Sequence, residues 1–427
     1  MSFSKSVAWY TAEKIFRLGT GLFVSGYTAR VLGNELFGEF NYYLTLVSIL
    51  SFIATFSLEL ISVKEFSDKN TVDNKKITNL ITLRIFTACL YMLSIVLLLF
   101  FIDVKNTYVV LILALGSAFG FSSIYESYFL SRAEGKYITK VRTFVFLLIS
   151  MAKIIGLTYV KNSNILIMLS IVQLFEVIFI LSLYISKLGF VNHNLIDIKY
   201  IKNIISQSIP LVISSTVIIL YNKIDQLMIS SMLGFIELGK YSVAIRLSES
   251  LNIMVMAIVT GYIPTIIRDI NDTSKFAFKY QKLAEFLNYT CIVILFGFIL
   301  VGREFITIVF GESYIDSFYP TCILIFSTVF SCLTVISSHW LVAEKMGYVR
   351  LKRSIISLGI NLLLNFLLIP IIGIEGAAIS TLISQIYSSL LGYTLNMNTR
   401  KIVILNMKSL LPINMLLGVK NRWEALK

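Results

Sequence analysis

Twelve stretches of about twenty mainly apolar residues run through this chain, at about 8–31, 41–63, 79–102, 107–130, 142–160, 164–186, 207–233, 239–265, 284–307, 318–342, 354–372 and 376–396. A helix of that length crosses the hydrocarbon core of a bilayer. Composition leaves no soluble alternative. Hydrophobic residues make up 57% and charged residues 14%, against roughly 25% charged in an ordinary soluble domain. Mean hydropathy is +0.82, and water cannot cover so much apolar surface.

The loops alternate in charge. One set holds Lys64, Lys69, Lys75 and Lys76, then Arg132, Lys136, Lys140 and Arg142, then Lys187, Lys199 and Lys202. It continues with Arg268, Lys275, Lys279 and Lys282, and ends with Lys345, Arg350, Lys352 and Arg353. The other set holds Arg30, Lys105, Lys161, Lys240 and Arg303, one apiece. A missed or invented span would break this alternation. The positive-inside rule places the rich loops and both termini in the cytoplasm. The net charge of +13 then faces anionic lipid headgroups, and a nucleic-acid role is set aside.

The four cysteines, Cys89, Cys291, Cys322 and Cys332, have neither metal-ligand nor disulfide spacing and read as small hydrophobes. No metal and no cofactor is implied. The first apolar stretch carries Lys14 and Arg17 and no small-residue cleavage site, so it is expected to remain as helix one. In the tail, the apolar run 410–419 is too short to span and is expected at the interface or poorly ordered.

A spaced pattern occurs twice. Leu32-Gly33, Gly38 and Phe40 return as Leu233-Gly234, Gly239 and Tyr241, 201 residues later. Both copies sit in a break on the periplasmic side, six spans apart, so the halves share one orientation. A second echo is Ala133-Glu134-Gly135-Lys136-Tyr137 with Ala343-Glu344 and Gly347-Tyr348, each after the fourth span of its half. The glycines serve the tight turns. The expected architecture is all-α and integral to the membrane: about twelve helices in two six-helix lobes, related by a pseudo-two-fold along the membrane normal. The N-terminal lobe is 1–190, a cytoplasmic linker 191–206, the C-terminal lobe 207–396 and a cytoplasmic tail 397–427.

Ionisable residues within spans need partners or a wet cavity. The bases are Lys14, Arg17, Arg84, Lys153, Lys223 and Arg246, and the acids Glu59, Glu126, Glu176, Asp225 and Glu249. Asp225 and Arg246 lie at matching depth in consecutive spans and are expected to meet; Arg246 and Glu249 share a helix face. Lys153 and Glu176 are a second expected pair, and Arg84 and Glu126 are expected to snorkel to the cytoplasmic surface. Lys14 and Arg17 share a face of helix one. Either Glu59 pairs with them, or they form a cationic cavity wall that attracts an anion such as phosphate. His339, beside Trp340, reads as a packed polar residue rather than a proton relay.

Ala29-Arg30-Val31-Leu32-Gly33, Phe37-Gly38 and Val63-Lys64-Glu65 resemble the start of the polysaccharide flippases. These are the Wzx-type, O-antigen repeat-unit branch of the multidrug/oligosaccharidyl-lipid/polysaccharide exporter superfamily. The second half is similar through Ser208-Ile209-Pro210, Tyr221-Asn222-Lys223-Ile224-Asp225, Val309-Phe310-Gly311-Glu312-Ser313-Tyr314, Asn361, Asn365, Pro370, Gly373 and Gly376-Ala377-Ala378. The resemblance covers about 1–396. It implies alternating-access transfer of an undecaprenyl-diphosphate-linked oligosaccharide, an O-antigen or capsule repeat unit, across the bacterial inner membrane in polysaccharide or lipopolysaccharide biosynthesis. It further implies a monomer working among membrane lipids beside a polysaccharide polymerase and a chain-length regulator. The family's cationic cavity matches Lys14 and Arg17, with Lys153, Lys223 and Arg246 as additions and Asp225, Glu249, Glu176 and Glu59 as charge partners.

Two alternatives remain open. A multidrug or cation antiporter of the same superfamily should keep an acid in helix one, where Lys14 and Arg17 stand out instead. A membrane polymerase or ligase needs a long periplasmic catalytic loop, and none here exceeds roughly 16 residues. No catalytic constellation is present, and the chain reads as no enzyme.

Overall fold

Fourteen helices follow one another, with no strand among the described residues. They are α1 (Phe3–Thr55), α2 (Leu58–Ser67), α3 (Asp73–Phe101), α4 (Thr107–Ala118), α5 (Ser122–Ser131), α6 (Gly135–Tyr159) and α7 (Asn164–Leu188). Then come α8 (Ile198–Met232), α9 (Phe235–Ile267), α10 (Thr273–Val309), α11 (Phe318–Ala343), α12 (Gly347–Ile372), α13 (Ile374–Ser389) and α14 (Arg400–Leu410). The computed structural model describes residues 3–67, 73–132, 134–160, 164–188, 195–394 and 397–410. The side chains of 3–16, Leu60, Ser67, Asp73, Thr273 and Asn398 fall outside that description. Lys14's side chain, Lys69, Ala133, Lys161, residues 191–194 and the tail 411–427 therefore lie outside the described residues.

Ten described helical segments are long and apolar enough to cross a membrane. The difference from the twelve expected spans has two sources. Spans one and two run together through α1, whose only non-helical residue is Gly33 (φ 70°, ψ 175°). Span twelve is α13, at 16 residues. Spans two and four are each interrupted, at 56–57 and at 119–121.

The chain divides into two compact units, Gly19–Lys223 and Met1–Leu18 with Ile224–Lys427. Within the first, α2 packs on α5, α3 on α4, α4 on α7 and α6 on α7. Within the other, α9 packs on α11, α10 on α11, α11 on α13 and α12 on α13. In span numbers both read second on fourth, third on fourth, fourth on sixth and fifth on sixth, so the duplication extends from sequence to packing.

Residues 195–206 of the segment expected as a linker are built into the first unit. Asn79 on α3 brackets it: Nδ2 donates to the Leu195 carbonyl (3.1 Å) and Oδ1 accepts from Asp197 N (2.7 Å). Lys75 pairs with Asp197 at 2.9 Å, and Tyr200 OH donates to Glu65 Oε2 at 2.7 Å. The Lys75 ammonium, followed by the Tyr200 N–H, holds the Asp197 carboxyl below the usual carboxylate range. α8 starts at Ile198, so the turns before the expected span are already helical.

The Asn361–Asn365 and Gly376 motif lies between α12 and α13. A Cβ at Gly376 would sit 2.6 Å from the Leu368 carbonyl, so only glycine permits this approach. Ser357 Oγ donates to the Ser384 carbonyl (2.8 Å), and Asn365 Nδ2 donates to Asn361 Oδ1 (3.1 Å). The first of these joins α12 to α13, where lipid offers no hydrophobic drive, and the second lies within α12. Cys291 and Cys332, read as unrelated, meet with sulfurs 3.8 Å apart on α10 and α11.

Residues 397–410 of the expected tail are ordered. Asn406 on α14 is fully buried. Its Oδ1 accepts from Tyr280 OH (2.6 Å) on α10, and its Nδ2 donates to the Ser389 carbonyl (2.7 Å) and to Ser337 Oγ (3.3 Å). One polar side chain thus ties α14 to α10, α11 and α13.

Candidate functional site

The two glycine breaks have nearly the same backbone: Gly33 at φ 70°, ψ 175° and Gly234 at φ 88°, ψ −177°. That region is essentially closed to residues with a Cβ. Six residues further, the repeat places Glu39 and Lys240 at equivalent positions. Each holds the loop before the fourth span of its half, with opposite charge. Glu39 Oε1 accepts from Asn106 Nδ2 (2.7 Å) and Tyr43 OH (2.5 Å). Lys240 pairs with Asp316 and with Glu237, both at 2.8 Å. Sequence alone had set Lys240 among sparse loop charges; the equivalence with Glu39 was available from the repeat offset.

The expected cationic residues divide between the units. Arg17 and Arg246 belong to one, Lys153 and Lys223 to the other. Arg246 is partly buried on α9; its Nε is enclosed without a hydrogen-bond partner, and the acid acting on it is Glu249, exposed one turn on. The expected meeting with Asp225 does not occur among the described residues. Asp225, 6% exposed, instead accepts from Tyr241 OH (2.7 Å) and Gln226 N (2.8 Å). Equal depth brought the two helices level, but the phenol of the repeat's own Tyr241 reaches the carboxylate first.

The Lys153–Glu176 pair is likewise not formed among the described residues. A Cβ on Gly156 would lie 2.7 Å from Met168 Sδ, which fixes the register of α6 against α7. That register sets Lys153 opposite about Ile171, roughly 7 Å along the axis from Glu176. Glu126 does not snorkel. It is buried on α5, where Arg142 grips it bidentately (Nε to Oε1 2.7 Å, Nη2 to Oε2 2.5 Å) and Tyr184 OH donates at 3.0 Å. Arg142 had counted as a loop charge because it begins an apolar window. Arg84 is buried too, 3% exposed, with Nη2 at 3.5 Å from the Gly120 carbonyl. Glu59 is exposed in the first turn of α2 and acts electrostatically on Arg84. The contrast drawn from a helix one without acid does not stand, since Glu13 lies four residues before Arg17.

Two helical units with duplicated packing and ionisable residues within the spans define the class: a multi-pass, all-α membrane protein. Solved structures share it. The lipid II flippase MurJ in an inward closed conformation superposes with a TM-score of 0.74 at 15% identity, over 96% of this chain and 93% of that one. An inward-facing multidrug resistance MATE family transporter of the MOP superfamily gives 0.63 at 12%, over 93% and 96%. A MOP superfamily transporter from Pyrococcus furiosus, described as having a binding pocket of reversed polarity, gives 0.65 at 11%, over 94% and 96%. No curated protein sequence matches the chain. The family model for polysaccharide biosynthesis proteins matches residues 3–269, and the chain belongs to that family.

Proposed function

We propose that this protein carries a lipid-diphosphate-linked oligosaccharide from the cytoplasmic to the periplasmic leaflet of the inner membrane by alternating access. The undecaprenyl-linked repeat unit of an O-antigen or capsule is the substrate class. Arg246 carries the reading: an arginine within a membrane span, enclosed at Nε without a partner, on which the exposed Glu249 of its own helix acts electrostatically. A guanidinium so placed suits a phosphate oxygen, which it meets with short charge-assisted bonds. Family membership supports the polysaccharide part. The diphosphate head meets Arg246, with Lys14 and Arg17 of the same unit as further contributors, while the lipid tail stays in the bilayer.

The test is transfer of a fluorescent lipid-diphosphate saccharide between leaflets of vesicles holding the purified protein. Facilitated transfer, reduced at least about tenfold in Arg246→Ala by loss of a charged hydrogen bond, is expected. Transfer no faster than in protein-free vesicles would overturn the reading. An antiporter reading is favoured by Glu13 and by buried Asp225. Resistance to cationic drugs that requires both acids would select it.

A further inference from the structure

The two membrane helices that flank α3 are both interrupted, at 56–57 and at 119–121. α3 is continuous and carries two buried polar side chains one turn apart, Arg84 and Thr87. Thr87 Oγ1 donates to the Ala54 carbonyl at the first interruption, 3.0 Å, and is satisfied there. Arg84 reaches the second interruption. Its single bond, Nη2 to the Gly120 carbonyl at 3.5 Å, lies beyond the normal range for N–H···O. Nε and Nη1 of the same guanidinium are buried and have no hydrogen-bond partner. A cation within the bilayer needs a partner or water. Among the described residues neither acid nearby supplies one: Glu126 is held by Arg142 and Tyr184, and Glu59 is exposed and forms no ion pair.

The interruption that this guanidinium reaches also holds the start of a helix. α5 begins there with Ser122 and Ser123 and has no acid in its first turn. Its first N–H groups form the positive end of its dipole; the Ser123 N–H and hydroxyl turn back to the Gly120 carbonyl, at 3.5 and 3.1 Å. α2, at the other interruption, differs by having Glu59 in that place. Gly120 lets the guanidinium close in, since a Cβ there would lie 3.0 Å from Arg84 Nη2. A phosphate group has enough oxygens to meet the guanidinium, a first-turn N–H and a serine hydroxyl together.

We propose that the interruption of span four is a binding site for a phosphate group, held by Arg84 and by the first turn of α5 at Ser122. A phospholipid headgroup and an isoprenyl diphosphate both present that chemistry. None of the cationic residues of the proposed transport path is among its groups.

The test is thermal unfolding of the full-length protein in neutral detergent, titrated separately with phosphatidylglycerol, farnesyl diphosphate and inorganic pyrophosphate. A ligand that binds only the folded state raises the midpoint. The wild type is expected to be stabilised by at least one of them: phosphatidylglycerol alone marks a lipid site, farnesyl diphosphate a diphosphate site. Arg84→Met should weaken that binding at least about tenfold. It should also unfold, without ligand, at the same or a higher temperature than the wild type, because it removes an unsatisfied buried charge. Gly120→Ala, which keeps the charge but displaces the guanidinium, should weaken binding too. Lys401→Ala, exposed on α14, should not. No ligand-dependent rise in the wild type, an undiminished rise in Arg84→Met and Gly120→Ala, or a ligand-free Arg84→Met less stable than the wild type would each overturn the proposal. The last result would make Arg84 a strut for Gly120.

Discussion

Alanine at Gly33 isolates a pure backbone cost. The residue sits at φ 70°, ψ 175°, a region that costs about 1–3 kcal/mol for a residue with a Cβ. A Cβ there meets nothing within 4 Å, so no clash adds to that figure. Gly234 is the same case at φ 88° with nothing within 4 Å. Each single substitution should lower the unfolding midpoint by roughly 2–12 °C, taking about 2–4 °C per kcal/mol for a unit of this size. The double variant should be additive, since the two sites share no partner. Gly359 and Gly261 supply the control. Both lie inside helices with nothing within 4 Å of a Cβ and without positive φ. Alanine there should stabilise by roughly 0.5–1 kcal/mol, because glycine is the poorer helix former. The assay is the unfolding midpoint of the four purified single variants in one detergent. If Gly33→Ala and Gly234→Ala shift in the same direction as Gly359→Ala, the two breaks do not require glycine and the reasoning fails.

Asn406→Ala should free α14, because it leaves Tyr280 OH with only Ser337 and the Ser389 carbonyl with no side-chain donor. Two unmade buried bonds cost about 2–4 kcal/mol, read as a roughly 30- to 700-fold rise in protease cleavage within 400–410. Arg142→Ala should cost about 1.5–3 kcal/mol, the range for hydrogen bonds to a charged group, as Glu126 keeps Tyr184 but loses its fork; an unfolding midpoint equal to the wild type would refute this. Asp197→Asn tests the docked start of α8. The carboxyl's folded pKa is depressed, so its contribution is full above about pH 4, the unfolded value, and is lost as pH falls through the folded one. The variant should be the less stable at pH 7 and indistinguishable from the wild type at the acid limit.

Spacing reached the glycine breaks and the duplication because both are local and repeat at one offset. Gly373, which entered only through the family resemblance, also has a positive φ, 66°. Spacing failed where a partner lies across helices. Lys153 and Glu176 seemed level because loop length conceals how far one antiparallel helix slides past the next. Arg142 looked like a loop cation because its carboxylate, Glu126, lies on another helix. The interruption at 56–57 places Phe56 and Ser57 at φ 46° and 53°, which no turn-forming residue type announces. Asn406 sits in the stretch read simply as the start of a cytoplasmic tail.

The chain by itself determined its solvent, its all-helical class and its internal repeat, because hydropathy and glycine placement act within one stretch at a time. Only the tertiary structure decided which charges meet. A side chain's partner depends on helix register and on the nearest donor in three dimensions. That is how Asp225 comes to hold Tyr241, how Glu126 comes to hold Arg142, and how Arg84 is left buried at the gap in span four with two donors unused.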